Sequence, residues 1–232
     1  MIFFKRNKYM IVCSLLLIAN LLLIALPNMS SKSSIVKNNV STSTIDTVLK
    51  QKSAKSDLKW RILPSRTSIV FKVKHFVLME VEGKFNDVEG YLETKTSGNF
   101  ADSKVSVEIP VASITTGNID RDTHLKTDDF FDVEKHPKMT FQSTKITDNS
   151  DGTYKMVGNL TIRNVSKPVV LSVTTEGSKT NKKGITKAKF KATGVINRYD
   201  YGLTWNELTE TGSMVVGKEI SIELNVTLEN PA

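Results

Sequence analysis

The 232 residues permit one or two domains. A formal charge of +8 suggests an acidic partner only until it is divided: residues 1–27 carry +3, residues 28–58 carry +3, and residues 59–232 keep +2. Basicity that sits mainly outside the folded part argues against nucleic acid, and with Cys13 the only cysteine, the rest of the chain forms no disulfide.

The chain opens with Lys5, Arg6 and Lys8, followed by a mostly apolar run from Ile11 to Leu26 broken by Ser14 and Asn20. That length lies between a signal-peptide core and a comfortable membrane span, and the basic flank keeps the N-terminus in the cytoplasm. Residues 1–27 are therefore read as a signal peptide or an uncleaved anchor. No clean small-x-small cleavage site follows Leu26, so the anchor stays open, with Ser30 or Ser31 as the cleavage alternatives. Met10, Ile11 and Val12 before Cys13 do not suit lipidation. Either outcome predicts export to the periplasm or another part of the cell envelope, beside the membrane if the leader remains. Residues 28–58 are rich in Ser, Thr, Lys and Asn and contain no aromatic, which reads as a disordered tether. Fully extended it would reach roughly 100 Å.

From Lys59 onward the period is two. Ile69, Phe71, Val73, His75 and Val77 share one face; Val81, Gly83 and Phe85 begin a second run. The phase slips after Asn86-Asp87, predicting a turn or bulge, and resumes with Val88, Gly90 and Leu92. Val105 to Val111, Met139 to Ile146, Tyr154 to Ile162, Val169 to Thr175, Ala188 to Ile196 and Ile220 to Leu228 complete the strands. Such alternation predicts antiparallel sheet with one face in solvent. Eight or nine long strands suit a closed barrel able to enclose side chains or one small ligand. Gly83, Gly158, Ala188, Ala192 and Gly194 stand at inward positions. Each small residue relieves crowding or leaves room; taken over three strands, they favour a cavity.

One block breaks the pattern. Between Gly117 and Pro137 the chain packs Asp120, Arg121, Asp122, His124, Lys126, Asp128 and Asp129 ahead of Phe130 and Phe131. A short helix of about two turns within 119–131 is the natural reading, with Asp120 as N-cap, an Asp122–Lys126 pair, and the two phenylalanines plugging a barrel mouth. The aspartates around His124 contain the residue types of a metal site. Yet there is no HExxH or second clustered histidine, and no nucleophile elbow or phosphate-binding loop occurs elsewhere. His75 reads as a satisfied core histidine or a ligand contact. Near the C-terminus, Asn197-Arg198-Tyr199-Asp200-Tyr201-Gly202 reads as a strand end and turn, or as a place where Arg198 makes a polar contact at the mouth.

These residues resemble the YceI-like family. The resemblance rests on Asp120-Arg121-Asp122-x-His124-Leu125-Lys126-x-Asp128-x-Phe130-Phe131-Asp132, on Gly158-x-Leu160-Thr161-Ile162, on Asn197-Arg198-x-Asp200-Tyr201-Gly202-Leu203, and on Val216-Gly217-x-Glu219-Ile220. It covers residues 59–232 in order and departs at Asn164-Val165-Ser166, where the family often has Gly-Val-Thr. It implies an all-β, extended, lipocalin-like antiparallel barrel of about eight strands with one helical insertion. It further implies a bacterial exported protein that holds a long apolar molecule such as a polyisoprenoid, quinone or prenyl-pyrophosphate chain, with no enzymatic activity and no cofactor. On that reading Phe71, Val73, His75, Phe131, Phe141, Phe190 and Ile196 form the wall, and Arg121, His124 and Arg198 meet a polar head. A homodimer is compatible with it. The competing readings are a metal-assisted hydrolase built on His124 and its aspartates, and a structural envelope module whose interior its own side chains fill.

Overall fold

Alternating apolar and polar residues form strands where the period predicts them. A computed structural model describes residues 58–76, 79–95, 98–207 and 215–230; the predicted leader, nearly all of the predicted tether, and Val77 lie outside the described residues. In chain order come β1 (Leu58–Ile62), β2 (Ser68–His75), β3 (Met79–Phe85), β4 (Glu89–Thr94), β5 (Lys104–Pro110) and β6 (Ile114–Thr115). After them come α1 (Ile119–Leu125), β7 (Lys138–Asp148), β8 (Thr153–Ile162), β9 (Val165–Thr180), β10 (Thr186–Asn197) and β11 (Val216–Asn230). β8 is the cleanest case: Tyr154, Met156, Gly158, Leu160 and Ile162 are all buried, and no residue between them is.

All pairings are antiparallel. Eight strands close a ring in the order β1-β4-β5-β7-β8-β9-β10-β11, with β11 returning to β1. β11 is long enough to serve two neighbours on one edge: residues 216–225 pair with β2, and Leu228 and Glu229 pair with β1. From β2 the sheet branches on through β3 to β6, and β2 and β3 add Phe71, Val73 and Phe85 to the barrel's interior. The phase slip at Asn86-Asp87 is a turn with a topological consequence. β3 pairs with β2 and β6, whereas β4 pairs with β1 and β5, so the two strands are not a hairpin. The β8–β9 connection is one, made by Arg163 and Asn164 with φ of 49° and 62°. Two consecutive left-handed residues match the twist of the strands they join.

The helix is the two turns that the spacing predicts, at the front of the 119–131 stretch. It ends at Leu125, and residues 126–133 return through turns in which Phe131 N–H donates to the Leu125 carbonyl and Asp132 N–H to Thr127. Its N-cap is Asn118 rather than Asp120: Asn118 has extended backbone, and its side chain accepts from Arg121 N–H at 2.9 Å. Nor does Asp122 reach forward to Lys126. It reaches back, accepting from Thr115 Oγ1 (2.9 Å), Thr116 N–H (2.7 Å) and Thr116 Oγ1 (2.6 Å), which ties the helix start to the end of β6.

Candidate functional site

Inside the ring lies a cavity of about 270 Å³. Strand alternation aims apolar side chains into it, and Arg198 is the one charged residue among its described lining residues. Of the predicted wall, Phe71, Val73, Phe131, Phe141, Phe190 and Ile196 line it. Phe100 and Phe190 of the lining meet edge-on at 4.9 Å, and Trp60 behind them meets Phe100 at 5.8 Å. Phe71, Phe85 and Phe131 form a second chain, at 5.7 and 6.1 Å.

The inward glycines work differently from the expectation. Phe71 faces Gly83 directly across β2 and β3, and a Cβ on Gly83 would sit 2.2 Å from the Phe71 ring. A Cβ on Gly158 would sit 2.3 Å from the Phe141 ring and 2.6 Å from the Gln142 carbonyl oxygen. The glycines thus let large rings lie flat on the wall. The room they leave is taken by the neighbour, and the cavity exists because those rings do not have to stand upright in it.

Arg198 borders the cavity with four of its five N–H donors already committed. It is 3% exposed. Nε donates to Gly217 O at 2.9 Å, Nη1 to the carbonyls of Leu203 and Trp205, and Nη2 to Val216 O at 3.0 Å. These bonds clasp the end of β10, the segment after Gly202 and the start of β11. Burial lowers the guanidinium pKa below its usual range.

Arg121, His124 and His75 lie outside the lining. The Arg121 guanidinium folds back onto Thr116, donating to its Oγ1 (2.7 Å) and its carbonyl (3.1 Å). His124 Nε2 is 2.8 Å from Asp129 Oδ2, and its ring meets Phe130 and Trp205 edge-on at 5.1 and 4.8 Å. His75, the last residue of β2, turns its ring against Phe76 at 4.4 Å. The sequence's densest polar cluster is therefore a seam between α1 and the segment around Trp205. His124 finds Asp129 rather than Asp120 or Asp128, and among the described residues no group of three His, Cys, Asp or Glu is placed to hold a metal ion.

Several lining residues escaped the sequence reading. Phe85 belonged to a recognised strand and signalled itself by alternation, whereas Phe100 sits in a connection with no period and gives no such signal. Phe130 lines the cavity too, its carbonyl accepting from Arg163 Nη1 at 2.9 Å, which fastens the plug to the β8–β9 turn.

Residues 60–228 match the YceI-like domain family. A UPF0312 protein of Staphylococcus aureus is 33% identical over 160 residues, 68% of this chain and 90% of that protein. The crystal structure of the Campylobacter jejuni YCEI protein, 34% identical, has a TM-score of 0.59 over 68% of this chain and 90% of that one. A polyisoprenoid binding domain from Saccharophagus degradans shares the fold at 15% identity, with a TM-score of 0.53 over 74% of this chain and 98% of that one.

Proposed function

The chain belongs to the YceI-like family, and from that premise we propose that it is an exported lipid-binding protein. In this proposal the barrel holds one long apolar chain of polyisoprenoid, quinone or prenyl-pyrophosphate type, as carrier or buffer. The observation that carries it is the cavity of about 270 Å³ with a wall of aromatic and aliphatic side chains. The name of the Saccharophagus relative, which shares the fold, points to the same ligand class. Phe71, Val73, Phe131, Phe141, Phe190 and Ile196 are the proposed chain contacts. A leader over 1–27, a tether over 28–58 and a barrel over 59–232 complete the plan, with the protein in the cell envelope.

The energetics suffice. Burying a methylene is worth about 0.8 kcal/mol. Some ten of them give about 8 kcal/mol, the scale of a micromolar dissociation constant, and further prenyl units offset the ordering cost. A binding role rather than catalysis fits a polar block in which Arg121 and Asp122 are bonded to Thr115 and Thr116 and His124 to Asp129.

Native mass spectrometry of the purified chain, with solvent extraction, tests this. The expected result is a bound mass that extraction releases as an isoprenoid lipid. Protein that is empty as purified and takes up no prenyl chain in titration overturns it.

A further inference from the structure

The +2 of residues 59–232 is unevenly spread. Residues 174–191 hold six lysines against Glu176, a net +5, which leaves a net −3 on the rest of that region. These residues form the β9–β10 hairpin. β8 accompanies β9 only as far as Thr174, so residues 175–180 of β9 pair with β10 alone. A bulge at Glu176-Gly177, opposite Lys189 and with Gly177 at φ 101°, twists the hairpin where it leaves β8.

The lysines are arranged against local stability. Lys179 stands directly opposite Lys187, and like charges facing each other across strands are unfavourable. The acid in that row is Glu229, which Lys187 already shares with Arg61 at 3.1 and 2.6 Å. Lys191 pairs with Glu223. Among the described residues, Lys179, Lys182, Lys183 and Lys189 have no ion-pair partner, and all but Lys189 lie on a stretch where nearly every residue is exposed. A sheet that concentrates unpaired cations on one projecting hairpin, and sets two face to face, gives up stability for something other than the fold.

The polypeptide enters the barrel at this same end. Arg61 is level with Glu229, Lys187 and Lys179, and β1 runs back from Arg61 to Leu58 in the direction in which the hairpin projects. The sequence before Leu58 carries the apolar run of residues 11–26 and, between that run and Leu58, five lysines. We infer that the β9–β10 hairpin is a docking surface for an anionic lipid bilayer, met by Lys179, Lys182, Lys183 and Lys189. Charge complementarity selects an anionic partner, and the shared end of the barrel selects the bilayer over a soluble polyanion. The inference does not depend on what the cavity holds.

The test compares the full chain with its quadruple variant Lys179→Gln, Lys182→Gln, Lys183→Gln, Lys189→Gln. Binding is measured to phosphatidylcholine vesicles with and without about one-third phosphatidylglycerol. Both proteins keep residues 1–57, so their difference reports the hairpin, and matching thermal melts verify that the variant folds. A surface lysine is worth about fivefold in such partitioning, so the variant loses at least about tenfold on anionic vesicles, a loss that high salt reproduces in the wild type. Equal binding of the two proteins, or no preference of the wild type for anionic vesicles, overturns the inference. Lysine-dependent binding to soluble poly(glycerol phosphate) that exceeds binding to vesicles also overturns it, in favour of an anionic polymer.

Discussion

Phe141 on β7 and Arg198 at the end of β10 both border the cavity, and they differ in what they have left to give. Phe141 lies flat over Gly158, one face on the wall and the other open to whatever enters. Arg198 has spent four of its five N–H donors on backbone carbonyls before anything arrives. By residue type alone, Arg198 is the stronger candidate for a ligand contact. The comparison teaches that a side chain's availability, rather than its polarity, decides whether it can serve a ligand: a buried guanidinium satisfied by main chain is a brace.

The largest expected effect comes from the brace. Arg198→Ala takes a donor from the carbonyls of Leu203, Trp205 and Gly217, while Val216 O keeps Asn206 Nδ2 at 2.7 Å, at a cost of about 3 kcal/mol in urea denaturation. A loss below about 1 kcal/mol, together with weakened lipid uptake, would put Arg198 on the side of the wall. Next comes the wall itself. In Gly158→Ala the new methyl meets both the Phe141 ring and the Gln142 carbonyl, so the ring lifts into the cavity; overpacking of this kind costs about 1–3 kcal/mol. Prenyl-chain titration should show weaker uptake in this variant, and unchanged uptake would mean the ring's position is irrelevant to the ligand.

The smallest effect separates the polar block from both. Burial raises the Asp122 pKa, but hydrogen bonds from Thr116 and Thr115 outweigh it and hold the carboxyl below its ordinary value. A depressed folded pKa contributes stability above the unfolded pKa of about 3.9, and that contribution is lost as pH falls through the lower folded value. Asp122→Asn should therefore be about 1 kcal/mol less stable than wild type near neutrality. In strong acid the two should converge. Parallel stability curves across that range would show that the carboxylate's charge plays no part in holding α1.

Much of the barrel was legible because a half-buried strand writes its orientation into every second residue. β8, β10 and β11 begin and end within a few residues of the predicted runs. β6 is two residues long, too short for any period, and β1 with Trp60 and Ile62 inward falls at the margin of the pattern. The wall could be read for the same reason as the strands, since Phe71, Val73, Phe141, Phe190 and Ile196 all occupy inward positions. The polar block could not, because period says nothing about which acid a histidine will find. His124 meets Asp129, five residues on, only because the chain turns back after Leu125. Likewise Arg198 carries no mark in the sequence of the carbonyls that receive it.

β11 pairs with both β1 and β2, and this dictates the order in which the molecule can assemble. The bond from Arg61 to Glu229 spans 168 residues of chain, and it lies where the first strand meets the last. The strands from β1 through β4 to β10 can pair in turn while synthesis is under way, yet the circle stays open until β11 has emerged. Contacts of such long sequence separation make folding slow. A nascent chain is thereby kept from sealing its barrel until residues 216–230 have been made, an interval in which it remains threadable.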